Sequence, residues 1–158
     1  MLPSAVTSVV AEPATPATPA QGIAFADWFL TCSAGTEKQL CSLSQTVRDA
    51  KDRRIIQMTA KRAGAVAYLE LIVPLGIAVA YGVNLELSDT TMVQAKLVDC
   101  ASDGCRAVLA LDANVLPQIK AAKTLAVTFQ DSKSGRTVSI GGSLRGFEQG
   151  LAMVLAAP

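Results

Sequence analysis

The chain has 158 residues, 51% of them hydrophobic and 17% charged, with a formal net charge of +1. That length suits one domain with tails, and a composition this apolar excludes disorder throughout the chain. The near-neutral charge excludes an electrostatic hold on nucleic acid or an acidic membrane surface, and the complete lack of histidine excludes Ser/His/Asp and Cys/His catalysis, histidine-bearing zinc sites and histidine proton shuttles.

Residues 1–11 are apolar and end in Val9-Val10-Ala11, small residues of the kind that precede a signal-peptide cleavage point. No Lys or Arg occurs before Lys38. The segment is therefore read as the remnant of a longer signal peptide, with an unstructured tail as the alternative. Residues 12–22 repeat Pro, Ala and Thr and form a spacer stiffened towards polyproline II. A single domain is expected over 23–158.

Strand-like runs follow at Trp28 to Cys32, Leu40 to Val47 and Ile55 to Lys61, with the charged run Arg48 to Arg54 between the last two read as a solvated hairpin loop. Ala63 to Val83 carries Glu70 as its only charge and could pass for a membrane-spanning helix. Against that, Pro74 and Gly76 interrupt it, and Ala65, Ala67, Leu69, Leu71 and Val73 alternate with Val66, Tyr68, Glu70 and Ile72 at strand period. Two buried strands joined around Pro74-Leu75-Gly76 are expected, the second starting at Val83, and no integral span. More strands are expected at Val93 to Val98, Arg106 to Leu111, Thr124 to Gln130 and Arg136 to Gly141. A short helix capped by Asn114 should run through Ala122, and a C-terminal amphipathic helix capped by Ser143 should bury Leu144, Phe147, Leu151, Val154 and Leu155. The expected fold class is mainly β: an antiparallel β-sandwich with a short helix and a C-terminal amphipathic helix.

The four cysteines form two local pairs, Cys32 with Cys41 and Cys100 with Cys105. Neither has the C-x-x-C spacing of a zinc knuckle or a thioredoxin-type site. Two disulfides, each closing a short loop, fit better, and the Asp103-Gly104 step supplies the positive φ that a reversal between Cys100 and Cys105 needs. Disulfides imply an oxidising compartment, periplasmic or extracellular; four buried free thiols in a cytosolic protein are the alternative.

The order of features Trp28-Phe29-Leu30-Thr31-Cys32, Cys41-Ser42-Leu43-Ser44-Gln45, Val73-Pro74-Leu75-Gly76-Ile77, Gly82-Val83, Cys100 through Gly104-Cys105 and Ser143-Leu144-Arg145-Gly146-Phe147 resembles the invasion-associated locus B family. The resemblance spans roughly residues 28 to 155. It marks Trp28, Gln45, Pro74, Leu75, Gly76, Gly104, Gly146 and Phe147 as structural motif positions beside the four cysteines. Leu97-Val98 and Ala80-Tyr81 stand where the family often has Pro-Tyr and a second proline. The resemblance implies an exported Gram-negative envelope protein, with host-cell invasion attributed to certain members, and implies no catalytic residue.

No P-loop, G-x-G-x-x-G, G-x-S-x-G or nucleic-acid module occurs, and no carboxylate pair is placed by a motif, so no catalytic residue, cofactor or metal is expected. Gly141-Gly142 could hold an anion at a helix start but reads more simply as a strand-to-helix turn. Trp28 beside Cys32 reads as core packing against a disulfide. The leading expectation is a non-enzymatic exported protein that binds a protein or envelope component through loops or a sheet edge. The alternatives are a small-ligand carrier or enzyme with a carboxylate or basic cavity, and a single-span membrane protein through 63–83.

Overall fold

A computed structural model describes residues 22–33 and 40–157. The expected signal-peptide remnant and nearly all of the spacer lie outside them; Gly22, the last spacer position, already belongs to a strand. In chain order the elements are β1 (Gly22–Phe25), β2 (Trp28–Ser33), β3 (Leu40–Arg48), β4 (Arg54–Ala63), β5 (Val66–Val73), β6 (Val83–Glu86), β7 (Met92–Ala101), β8 (Gly104–Ala110), α1 (Val115–Ala121), β9 (Leu125–Gln130), β10 (Thr137–Gly142) and α2 (Phe147–Ala156).

All strand pairs are antiparallel, and the ten strands follow one hydrogen-bonded order, β1-β2-β3-β4-β5-β8-β7-β6-β9-β10. The strand β7 belongs to both halves: Met92 to Ala95 pair with β6, and Lys96 to Ala101 pair with β8 across a register shift between Leu97 and Asp99. Changing partner mid-strand lets the sheet fold over on itself, as sandwich corners do. Alternating residues of both halves then meet in one core, including Ile56, Met58, Leu69, Leu71, Val73 and Ala107 from one and Val83, Leu85, Val127 and Phe129 from the other. The end of β10 lies over β4, with Met58 against Gly142. Helix α2 fills the rest of this second layer, packing on β1 to β4 through Phe147, Gly150, Leu151 and Val154.

The apolar stretch at 63–83 resolves into strands. Gly64, at φ +62°, and Ala65 make the turn between β4 and β5, and Ala67, Leu69, Leu71 and Val73 face the core at strand period. The single-span alternative is thereby overturned for this segment, and no helix among the described residues is long and apolar enough to cross a membrane. Residues 74–82 are not a hairpin between neighbours, however. The partners of β5 are β4 and β8, while those of β6 are β7 and β9, so Pro74-Leu75-Gly76 opens a crossover between the two halves.

Both helix caps differ from expectation. Asn114 has helical backbone angles and makes no side-chain cap; Asp112 does that work, its Oδ1 accepting the N–H groups of Asn114 and Val115, each at 2.9 Å. Helix α2 begins at Phe147, after Gly146 at φ +88°, because Ser143 is already committed to tertiary hydrogen bonds. Leu155 is 39% exposed rather than part of the buried stripe, and Gly150, pressed against Leu43, takes the buried position instead.

Candidate functional site

Four motif positions distant in sequence, Trp28, Gln45, Gly146 and Phe147, converge. Trp28, the first residue of β2, is buried, stacks at a tilt on Phe147 with ring centroids 5.0 Å apart, and donates its indole N–H to the Ser143 carbonyl at 2.8 Å. An aromatic ring of α2 is thus a packing partner of the indole. Gln45, also buried, uses both ends of its amide: Oε1 accepts the Ser143 N–H at 2.9 Å, and Nε2 donates to the carbonyls of Asp27, at 3.1 Å, and Ser143, at 3.2 Å. Asp27 N–H bonds the Arg145 carbonyl, and Ser143 Oγ donates to the Asp27 carboxylate. A Cβ on Gly146 would run into the Phe25 carbonyl. This clasp ties the β1–β2 turn to the approach to α2, and only a glycine at 146 allows the two backbones so close.

The cysteines are brought together as paired. Cys32 faces Cys41 across β2 and β3, Cys100 faces Cys105 across β7 and β8, and both pairs are disulfide-bonded. Gly104, at φ +138°, lies against the Val73 carbonyl where a Cβ would not fit. Ser102 and Asp103 alone make the turn. On the crossover, Gly76 takes φ +84° and its carbonyl accepts the Ser132 N–H at 2.8 Å, while Ala78 N–H bonds the Gln130 carbonyl at 2.8 Å, docking the crossover on the β9–β10 hairpin. Pro74 is half-buried. Leu75 stands apart: its side chain is 55% exposed while Ile77 enters the core.

The carboxylates with perturbed titration sit on surface hairpins. Asp49 is held below its ordinary value first by the Arg53 backbone N–H, Asp99 by the Arg106 guanidinium, and Asp131 by the Ser134 backbone N–H. All three shifts are downward and favour the charged form, the reverse of what a general acid needs at neutral pH. Asp49 also organises the expected solvated loop, accepting the N–H groups of Lys51 and Arg53. On the solvent face, Glu70 bridges Lys61 at 3.3 Å and Arg106 at 3.6 Å, a surface ion-pair chain that ends on Asp99. No group of three or more metal-type ligands occurs among the described residues.

Residues 28–155 match the family model described as Invasion associated locus B (IalB) protein. The chain belongs to the invasion-associated locus B family. It is 25% identical over 134 residues to the Invasion protein B homolog of Brucella abortus (strain 2308), covering 84% of this chain and 78% of that one, and equally similar to the homolog of biovar 1 (strain 9-941). The crystal structure of invasion associated protein B from Bartonella henselae superposes with a TM-score of 0.76 over 86% of this chain and 95% of that one, at 21% identity, which shows a shared fold. The IalB match begins at Trp28 and ends at Leu155, so it takes in Trp28, Gln45, Ser143, Gly146 and Phe147 of the clasp, both disulfides and the crossover, while Phe25 and Asp27 lie just ahead of it.

Sequence reasoning missed Asp27, and it singled out Ser143 as a helix cap where the structure uses it in the clasp. Both act largely through backbone groups, which carry no sequence signature.

Proposed function

We propose that the protein is an exported, non-enzymatic component of the bacterial envelope that acts by binding a protein or envelope component. The observation that carries this reading is the pair of cross-strand disulfides, which form and persist in oxidising compartments. The motif positions support it: Trp28, Gln45, Gly104, Gly146 and Phe147 are spent on packing and backbone closure, which makes them parts of a scaffold. The names of the relatives add invasion of a host as a narrower form of the same binding role.

The test is fractionation of the producing bacterium followed by thiol alkylation of the protein it exports. The expected result is recovery from the periplasm or medium with no alkylation before reduction and alkylation of all cysteines after it. Natively made protein with four free thiols, or protein retained in the cytoplasm, would overturn the reading. For the narrower role, a strain lacking the protein should enter host cells less than its parent; equal entry rejects it.

A further inference from the structure

The ten-stranded order has two ends, and they differ. β1 is only four residues long, whereas β10 runs for six, Thr137–Gly142, without a charged residue, a proline or a register break against β9. Shortness, charge, proline and bulges are the usual devices that keep an edge strand from pairing with another chain, and β10 has none of them. We propose that β10 is a self-association edge, pairing antiparallel with the β10 of a second copy about a two-fold axis at Ser139. This pairing follows from strand geometry and goes beyond the export and binding reading.

Asp131 N–H bonds the Arg136 carbonyl, which sets the hydrogen-bond alternation along the β9–β10 ladder. Val138, Ile140 and Gly142 therefore exchange bonds with β9, while Thr137, Ser139 and Gly141 point their N–H and C=O groups off the free edge. Gln130, opposite Thr137, obeys the same alternation, since its carbonyl turns away from β10 to take the Ala78 N–H at 2.8 Å. No turn, loop or cap among the described residues bonds the backbone of the three outward-pointing residues, and all three are exposed. Nothing stands within 4 Å of the place where a Gly141 Cβ would be, so a second backbone can approach there.

A strand added to this edge must match outward groups to outward groups. Antiparallel pairing of β10 with itself about Ser139 does so throughout: Ser139 faces Ser139, and Thr137 faces Gly141 in both directions, each pair exchanging both bonds. A slip of one residue would oppose outward groups to inward ones, and a slip of two would take Thr137 or Gly141 out of the ladder. In the matched register Val138 lies opposite Ile140 at the closer, non-hydrogen-bonded spacing. These side chains are half-buried at the rim of the core and cover one another across the axis. Charge favours the same orientation. The hairpin that opens β10 carries Lys133 and Arg136 against Asp131, whereas its far end leads into Asp27 and Glu148 against Arg145. The two-fold brings Arg136 of one copy opposite Gly142 of the other, next to Ser143, whose hydroxyl holds the Asp27 carboxylate. Arg136 has no ion pair of its own among the described residues.

A single strand pair of this length is a small interface, in the weak class below about 1,200 Å², so half-dimerisation is expected on the order of 100 µM. The test is equilibrium sedimentation of the oxidised full chain from about 10 µM to about 1 mM, with amide hydrogen exchange at both limits. The expected result is a reversible monomer–dimer equilibrium in which the amides of Thr137, Ser139 and Gly141 gain protection with concentration, while those of Val138 and Ile140 are protected throughout. Ser139→Pro, which an edge strand accommodates where the N–H faces outward, should weaken the dimer about tenfold or more and leave the circular dichroism of the monomer unchanged. Arg136→Glu should weaken it severalfold, and added salt should shrink that difference. A chain that stays monomeric at about 1 mM, a dimer unchanged by Ser139→Pro, or protection gained elsewhere but not at the three edge amides would overturn the proposal. The exchange pattern of the parent chain decides the matter even if Ser139→Pro fails to fold. None of these outcomes touches the thiol or fractionation results, so failure here is separable from failure of the export reading.

Discussion

The clasp and the disulfides hold the fold in opposite ways. Each disulfide joins strands that are already neighbours, with sequence separations of 9 and 5, so the covalent links are local. The clasp is noncovalent and long-range, linking Trp28 to Ser143 across 115 positions and Gln45 to Ser143 across 98. The lesson is that the strongest bonds in the molecule do not close it. The second layer is closed by one indole, one amide and one glycine, whereas the disulfides firm up hairpin rims.

That contrast sets an order of expected effects. Gly146→Val should be the most damaging single change, because it puts a side chain both at φ +88° and into the Phe25 carbonyl. Thermal or denaturant unfolding should show a loss of more than about 5 kcal/mol, enough to leave little folded protein. Trp28→Ala should cost about 3 to 5 kcal/mol by emptying the space against Phe147 and removing the shorter of the two hydrogen bonds to the Ser143 carbonyl. Replacing Cys100 and Cys105 by Ala together should cost about 2 to 3 kcal/mol, less than the clasp variants, and hydrogen exchange should rise mainly in β7 and β8. If the double variant instead loosened the whole core, the local role assigned to this disulfide would be wrong.

Smaller effects sharpen the picture at the surface. Leu75→Ser should change the unfolding free energy by no more than about 0.5 kcal/mol, since that side chain contributes little to the core. Asp131→Asn should lower Tm slightly at neutral pH. Asp131 is held below its ordinary value by the Ser134 and Lys133 N–H groups, so its contribution is complete above the carboxylate range and disappears as pH falls through the folded-state value. The Tm gap between Asp131→Asn and the parent should therefore close on strong acidification; a gap that persisted there would assign the effect to packing.

Much of this organisation is legible in the sequence because strand period and turn chemistry are local. Leu69, Leu71 and Val73 alternate inward as their spacing requires, and the cysteine pairs fall opposite each other because a short connection leaves a hairpin little choice of register. What resisted reading depends on partners far along the chain. Ser143 has the local look of a helix cap, but its backbone is claimed by Gln45 and Trp28, which displaces the helix start to Phe147. Pro74-Leu75-Gly76 has the look of a tight turn, yet β5 finds β8 as its other neighbour and the chain must cross.

The clasp also imposes a timetable. Ser143 follows Trp28 by 115 positions, so until α2 and its approach have been made Trp28 lacks its Phe147 partner and Leu43 lacks Gly150. Contacts between such distant positions are slow to form because the loop between them must be closed first. The core therefore cannot be sealed until α2 has been made and docked.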